Sequence, residues 1–168
     1  CQGEGPITIA KLIDHLKENE INLEDIPGLW YVNKNKEIKS NKSAQMFENL
    51  DEDLPGQAWK LLDMTKYKTH NWHTFGQLET RNQYASLQTS LGCPFKCTFC
   101  CINAPFEKNT IRFWSPRHII NQIKTLVEDY NIYNIKIPDE MFVLNPKQVT
   151  GICDEIIDRG YGEKLNFW

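Results

Sequence analysis

The clearest apolar periodicity lies in the second half of the chain. Ile119, Ile123, Leu126 and Tyr130 recur at helical spacing, joined by Ile120 and Val127, and this stripe predicts an amphipathic helix. Ser115-Pro116 stands in front of it as N-cap and first helical residue, and Asn131 ends it. Val149, Ile152, Ile156 and Ile157 predict a second helix. Asn145-Pro146 repeats the same start, Gln148 occupies the capping-box position and Gly160 is the stop. Short apolar runs at 84–90, 132–137 and 165–168 read as strands around these helices. Strand and helix alternate, which is the order of βα units in a parallel sheet with right-handed crossovers. The expected fold class is α/β.

The first half is less regular. Ile9, Leu12, Ile13 and Leu16 form one stripe, with Asp14, Lys17 and Glu18 on the other face. Gly3-Glu4-Gly5-Pro6 opens this helix and reads as a plain turn rather than a ligand-holding one. A single helix cannot form a core, so 1–27 is expected to be the last element of a domain whose body lies upstream. Residues 28–83 read as a connector carrying a small hairpin, with runs at 29–32 and 37–40 around the polar turn Asn33-Lys34-Asn35-Lys36. Asp51-Glu52-Asp53 and Pro55-Gly56 are expected to break regular structure. Trp59, Leu61, Leu62 and Met64 are expected to pin the connector to a neighbour. His70 and His73 stand three apart among aromatics and invite a metal reading. Without a carboxylate or cysteine nearby in sequence, they read as structural or solvated loop residues. Three strands at 84–168 would leave an open apolar edge, which folded proteins avoid. The segment is therefore expected to be truncated at both ends, to fold poorly alone and to lack activity alone.

Composition narrows the class. Charged residues make up 24% and apolar residues 40% of the 168 positions, a globular balance. A net charge of -3 and a pI near 5.8 argue against a surface that coats nucleic acid. No apolar run approaches the roughly 18 residues of a membrane span. Of the six cysteines, four crowd into 93–101 while Cys1 and Cys153 stand alone. A disulfide framework would spread its cysteines, so metal binding in a reducing cytoplasm is the better reading.

Cys93, Cys97 and Cys100 stand as C-x3-C-x2-C on a loop punctuated by Gly92 and Pro94. Three thiolates on one loop can hold three corners of an iron–sulfur cube and leave the fourth iron open. The loop follows a strand, and the carboxyl ends of strands are where α/β folds keep reactive groups. Two rivals use the same residues. A zinc module of Cys93, Cys97, Cys100 and Cys101 would draw ligands from two places, and adjacent cysteines cannot easily both reach one ion. A ferredoxin-type electron carrier would want a fourth spaced cysteine and C-x2-C-x2-C spacing. Cys101 and Cys153 read as core or near-cluster packing, and His15 and His118 as helix residues without a special role.

C-x3-C-x2-C after a first barrel strand, with Phe99 before the last cysteine, resembles the radical S-adenosylmethionine (radical SAM) superfamily. Asn49-Leu50, Leu54-Pro55, Trp59, Gly92-Cys93-Pro94-Phe95, Trp114-Ser115-Pro116 and the opening Gly3-Glu4-Gly5 make it similar to the cobalamin-binding branch. That resemblance implies the end of a Rossmann-like cobalamin domain at 1–27, a connector at 28–83 and the first half of a partial (β/α)6 barrel at 84–168. It makes Cys93, Cys97 and Cys100 the ligands of a 4Fe–4S cluster and sets Phe99 beside the adenine of SAM. Asp139-Glu140 ends the second strand, where the superfamily has a Gly-Gly-Glu-like motif near the SAM amino group. The glycines of that motif are absent here. The implied activity is reductive cleavage of SAM to methionine and a 5′-deoxyadenosyl radical that abstracts hydrogen from an unactivated C–H bond. Cobalamin would most often relay a methyl group. The implied partners are a small-molecule substrate and an external electron donor of flavodoxin or ferredoxin type.

Overall fold

The computed structural model describes residues 1–18, 22–69, 81–104 and 108–168. His70 and His73 lie outside the described residues. The chain divides into two compact units, Cys1–Glu48 with Gly92–Thr110, and Asn49–Leu91 with Ile111–Trp168.

In the first unit the predicted helix is α1 (Pro6–Glu18). Its anchor is polar. Thr8 is fully buried and its hydroxyl donates to the Pro27 carbonyl at 2.7 Å. The Glu4 carboxylate accepts the Phe47 N–H at 2.8 Å, which ties the Gly-Glu-Gly turn to its own chain and agrees with a plain turn. Ile9, Ile13 and Leu16 of the apolar stripe are about half exposed (46%, 45% and 53%). The predicted hairpin is present as β1 (Trp30–Val32) and β2 (Ile38–Ser40), antiparallel with Trp30 opposite Ser40. Asn33 closes its turn by accepting the N–H groups of Asn35 and Glu37, each at 2.9 Å.

The second unit holds α2 (Leu50–Asp53), α3 (Pro116–Tyr130) and α4 (Pro146–Asp158). Its strands are β3 (Tyr84–Ser86), β4 (Ser90–Gly92, whose last residue belongs to the first unit), β5 (Ile111–Phe113), β6 (Asn134–Lys136) and β7 (Asn166–Phe167). β3, β6 and β7 form a parallel sheet in that order, with Ala85 opposite Ile135 and Ile135 opposite Phe167. The α/β class and the parallel βα units are therefore as expected. Ile119, Ile120, Ile123 and Leu126 of α3 are at most 1% exposed, and Ile132 and Ile135 are fully buried. Each such side chain contributes about 1.5–3 kcal/mol by leaving water. Ser115 caps α3 by accepting the His118 N–H at 3.1 Å, and Asn131 ends it in the left-handed region at φ 55°. Among the described residues no helix is long and apolar enough to cross a membrane.

Several local expectations are corrected. The single strand at 84–90 is two strands, because the chain changes partner. Leu87 still donates its N–H to Lys136 beside β6, whereas the Thr89 carbonyl accepts from Trp114 beside β5. Asp51-Glu52-Asp53 does not break the backbone but forms α2, where acidic residues at a helix start are favourable. Gln148 does not complete a capping box; its side-chain amide donates to the Trp114 carbonyl at 2.6 Å, buried between elements. Ile157 lies outside the buried stripe of Gln148, Ile152 and Ile156 and is 67% exposed. In the connector Trp59 and Met64 are buried, but Leu61 and Leu62 are exposed. Cys101 and Cys153 are also exposed rather than packed in a core, Cys153 because it follows Ile152 around the helix away from that stripe.

Candidate functional site

β4 leads into the cysteine loop, and the chain returns from it as β5, its hydrogen-bonded neighbour. Gly92 stands at the root of the loop with φ +88°, and a Cβ there would lie 2.3 Å from the Thr110 carbonyl oxygen. Only glycine permits that conformation and that approach. Cys93 follows and is buried, whereas Cys97, Cys100 and Cys101 are exposed, and all six cysteines carry free thiols. The Cys100 N–H donates to the Cys97 carbonyl at 3.1 Å, a tight turn between the second and third thiols. Asn103 then reaches back across the loop. Its Oδ1 accepts the Cys93 N–H at 3.2 Å, and its Nδ2 donates to the carbonyls of Cys93 at 2.6 Å and Phe95 at 3.3 Å.

Cys93, Cys97 and Cys100 line one cavity of about 440 Å³, together with Phe95, Lys96 and Asn103. Cys101 does not line it. Among the described residues no three His, Cys, Asp or Glu side chains converge as ligands of a single metal ion. Three thiols around one cavity suit a cluster, which offers each thiolate its own iron. A tetrahedral zinc ion would want a fourth ligand, and Cys101 is not among the lining residues. The donor set and the room thus fit an iron–sulfur cluster. Phe99 is 92% exposed and is not among the residues lining this cavity.

Asp139 and Glu140 belong to the second unit and follow β6. The Asp139 carboxylate is already engaged. Oδ1 accepts the Thr89 N–H at 2.8 Å, and Oδ2 accepts the hydroxyls of Thr89 at 2.6 Å and Ser90 at 2.7 Å. Glu140 is exposed. The two neighbours in sequence thus have different standing: one stitches β4 to the end of β6, and the other presents its charge outward. Neither the Asn103 clamp nor the Thr89–Ser90–Asp139 set is legible from spacing, because each pairs residues through the fold. A polar side chain three residues past the last motif cysteine was the only signal for Asn103.

No protein-family model matches the chain. It is 31% identical over 159 residues to the uncharacterized methyltransferase PH0819 of Pyrococcus horikoshii, covering 95% of this chain and 32% of that relative. Its fold matches OxsB, a cobalamin-dependent S-adenosylmethionine radical enzyme solved with aqua-cobalamin and S-adenosylmethionine bound. The TM-score is 0.68 at 24% identity, over 98% of this chain and 21% of OxsB. It also matches the radical S-adenosylmethionine methyltransferase TsrM of Kitasatospora setae, solved with cobalamin and a 4Fe–4S cluster. There the TM-score is 0.63 at 16% identity, over 99% of this chain and 32% of TsrM. The chain thus spans about a third or less of each protein it resembles. It shares the fold of solved S-adenosylmethionine radical enzymes, one of them named as cobalamin-dependent and the other solved with cobalamin bound, and it carries its C-x3-C-x2-C loop directly after the strand β4.

Proposed function

We propose that the full protein is a radical SAM enzyme of the cobalamin-dependent branch, with methyl transfer to a small molecule as the favoured outcome. One observation carries this reading: Cys93, Cys97 and Cys100 line a single cavity and Cys101 does not. Those three thiolates would hold the 4Fe–4S cluster. When bound, the cluster supplies the electron that splits SAM into methionine and the 5′-deoxyadenosyl radical. The cavity-lining Lys96 sets a cation beside an anionic group. Glu140 is the better of the two acidic residues to meet the SAM ammonium, because both oxygens of Asp139 already accept hydrogen bonds. Phe99, with its ring in the open, is free to stack on the adenine. An external flavodoxin- or ferredoxin-type protein would deliver the electron, and the free thiols favour a reducing cytoplasm. In the same reading 1–27 closes a cobalamin-binding domain, 28–83 connects it and 84–168 opens the barrel. The apolar stripe that α1 leaves exposed supports the first of these.

The test is anaerobic reconstitution of the full protein with iron and sulfide. The parent and Cys101→Ala should turn brown and bind iron and sulfide, while Cys93→Ala, Cys97→Ala and Cys100→Ala should not. Glu140→Gln should keep the cluster and weaken SAM binding about tenfold or more, the equivalent of one charge-assisted hydrogen bond. A colourless parent with stoichiometric zinc would return the site to the interaction-module reading. A cluster that never cleaves SAM would return it to electron transfer.

A further inference from the structure

We infer that Asn103 is the positioning residue for the first cluster ligand, holding the backbone of Cys93 so that its thiol enters the cavity at one place. The inference rests on the cluster reading above. Cys93 is the one cysteine of the loop that is buried, and it stands just past Gly92, the last residue of β4. Buried backbone groups without partners are costly. The side-chain amide of Asn103 serves both backbone groups of Cys93, accepting from the N–H and donating to the carbonyl of the same residue, and donates also to Phe95 two residues on. A carboxamide is the one small side chain with a paired donor and acceptor matching a peptide group. The bonds span ten residues of sequence and close the loop across its own mouth. Asn103 lines the same cavity as the three thiols, so the clamp and the ligands share one wall.

The clamp also decides what the Cys93 N–H does. Hydrogen bonds to cluster and ligand sulfur tune the potential of iron–sulfur sites, and an N–H committed to Asn103 is withheld from that role. Residues that orient metal ligands typically change metal affinity about 10–100-fold when removed. Asn103→Asp separates shape from chemistry. The carboxylate can still accept the Cys93 N–H but faces the carbonyls of Cys93 and Phe95 with oxygen instead of a donor.

Two measurements on the full chain test this. In the metal-free protein, alkylation of each cysteine followed by mass spectrometry should find Cys93 slow in the parent. It should react about tenfold faster or more in Asn103→Ala and Asn103→Asp, with Cys153 unchanged. In the reconstituted protein the same variants should surrender iron to a chelator about tenfold faster and alter the paramagnetic resonance signal of the reduced cluster. Asn35→Ala, on the β1–β2 turn of the same unit, should leave both readouts at the parent's values. Parent-like alkylation and iron release in both Asn103 variants overturns the inference, as does an equal effect of Asn35→Ala. A parent that binds no cluster while Cys93 still opens on mutation overturns the cluster reading instead and leaves the clamp as a fact of the apo loop.

Discussion

Removing the Asp139 carboxylate should destabilise the second unit in proportion to the hydrogen bonds it accepts. Asp139→Ala strips the acceptor from the Thr89 N–H and from the hydroxyls of Thr89 and Ser90. Thr89 and Ser90 are 1% and 2% exposed, so water cannot replace the lost oxygens without opening the strand. Bonds to a charged acceptor are worth about 1.5–3 kcal/mol each, but three on one carboxylate do not add. The two hydroxyls can turn to other acceptors, and the carboxylate regains hydration when released. The N–H cannot turn, and stranding it costs about 1–3 kcal/mol. The net expectation for Asp139→Ala is about 2–4 kcal/mol. Asp139→Asn keeps Oδ1 for the N–H and points an amide at two hydroxyls that can accept, so it should lose only about 1 kcal/mol. Glu140→Ala, one residue on and exposed, should stay within about 0.5 kcal/mol. Urea unfolding of the full chain followed by tryptophan fluorescence reads all three. If Asp139→Ala unfolds at the same urea concentration as Glu140→Ala, the carboxylate does not stitch the strands, and it returns as a candidate for SAM.

Three further outcomes follow from single contacts. Gly92→Ala forces a Cβ to within 2.3 Å of a backbone oxygen at φ +88°; it should cost about 1–3 kcal/mol and lower iron content, and a parent-like urea midpoint would refute the close approach. Gln148→Leu leaves the Trp114 carbonyl without its 2.6 Å donor, so thermal melting should show a loss of about 1–3 kcal/mol; no loss would mean the amide is dispensable. Burial, aided by the neighbouring Glu128 carboxylate, holds the Tyr161 hydroxyl above its usual pKa. The neutral form is thus favoured in the folded chain, and this contribution is fully present below about pH 10 and lost as pH rises through the raised value. Tyr161→Phe should flatten the alkaline fall in urea midpoint, and an unchanged slope would refute the assignment.

Much of the chain was legible because its signals are local. Ser115-Pro116 and Asn145-Pro146 start α3 and α4 as read, since a cap and a proline act on the next turn of backbone alone. The isoleucines of α3 are buried as their 3.6-residue period demands. The polar turn at 33–36 closes the hairpin with the side chain of Asn33. The three motif cysteines share one cavity, which their spacing on a short loop already favoured. What sequence could not supply were the partners reached through space. Gln148 had the position of a local cap, yet it serves a carbonyl 34 residues away, because a buried acceptor outbids an exposed one. The strand at 84–90 carries one continuous pattern, but its two ends pair with different neighbours, so the break between Leu87 and Thr89 belongs to the sheet. Asp139 and Glu140 are adjacent acids with the same intrinsic chemistry, and only tertiary structure gives one of them to Thr89 and Ser90 and leaves the other in the open. Asn103 is an ordinary loop asparagine in sequence; the fold brings it to the Cys93 backbone, where its paired donor and acceptor meet the N–H and the carbonyl of that one residue.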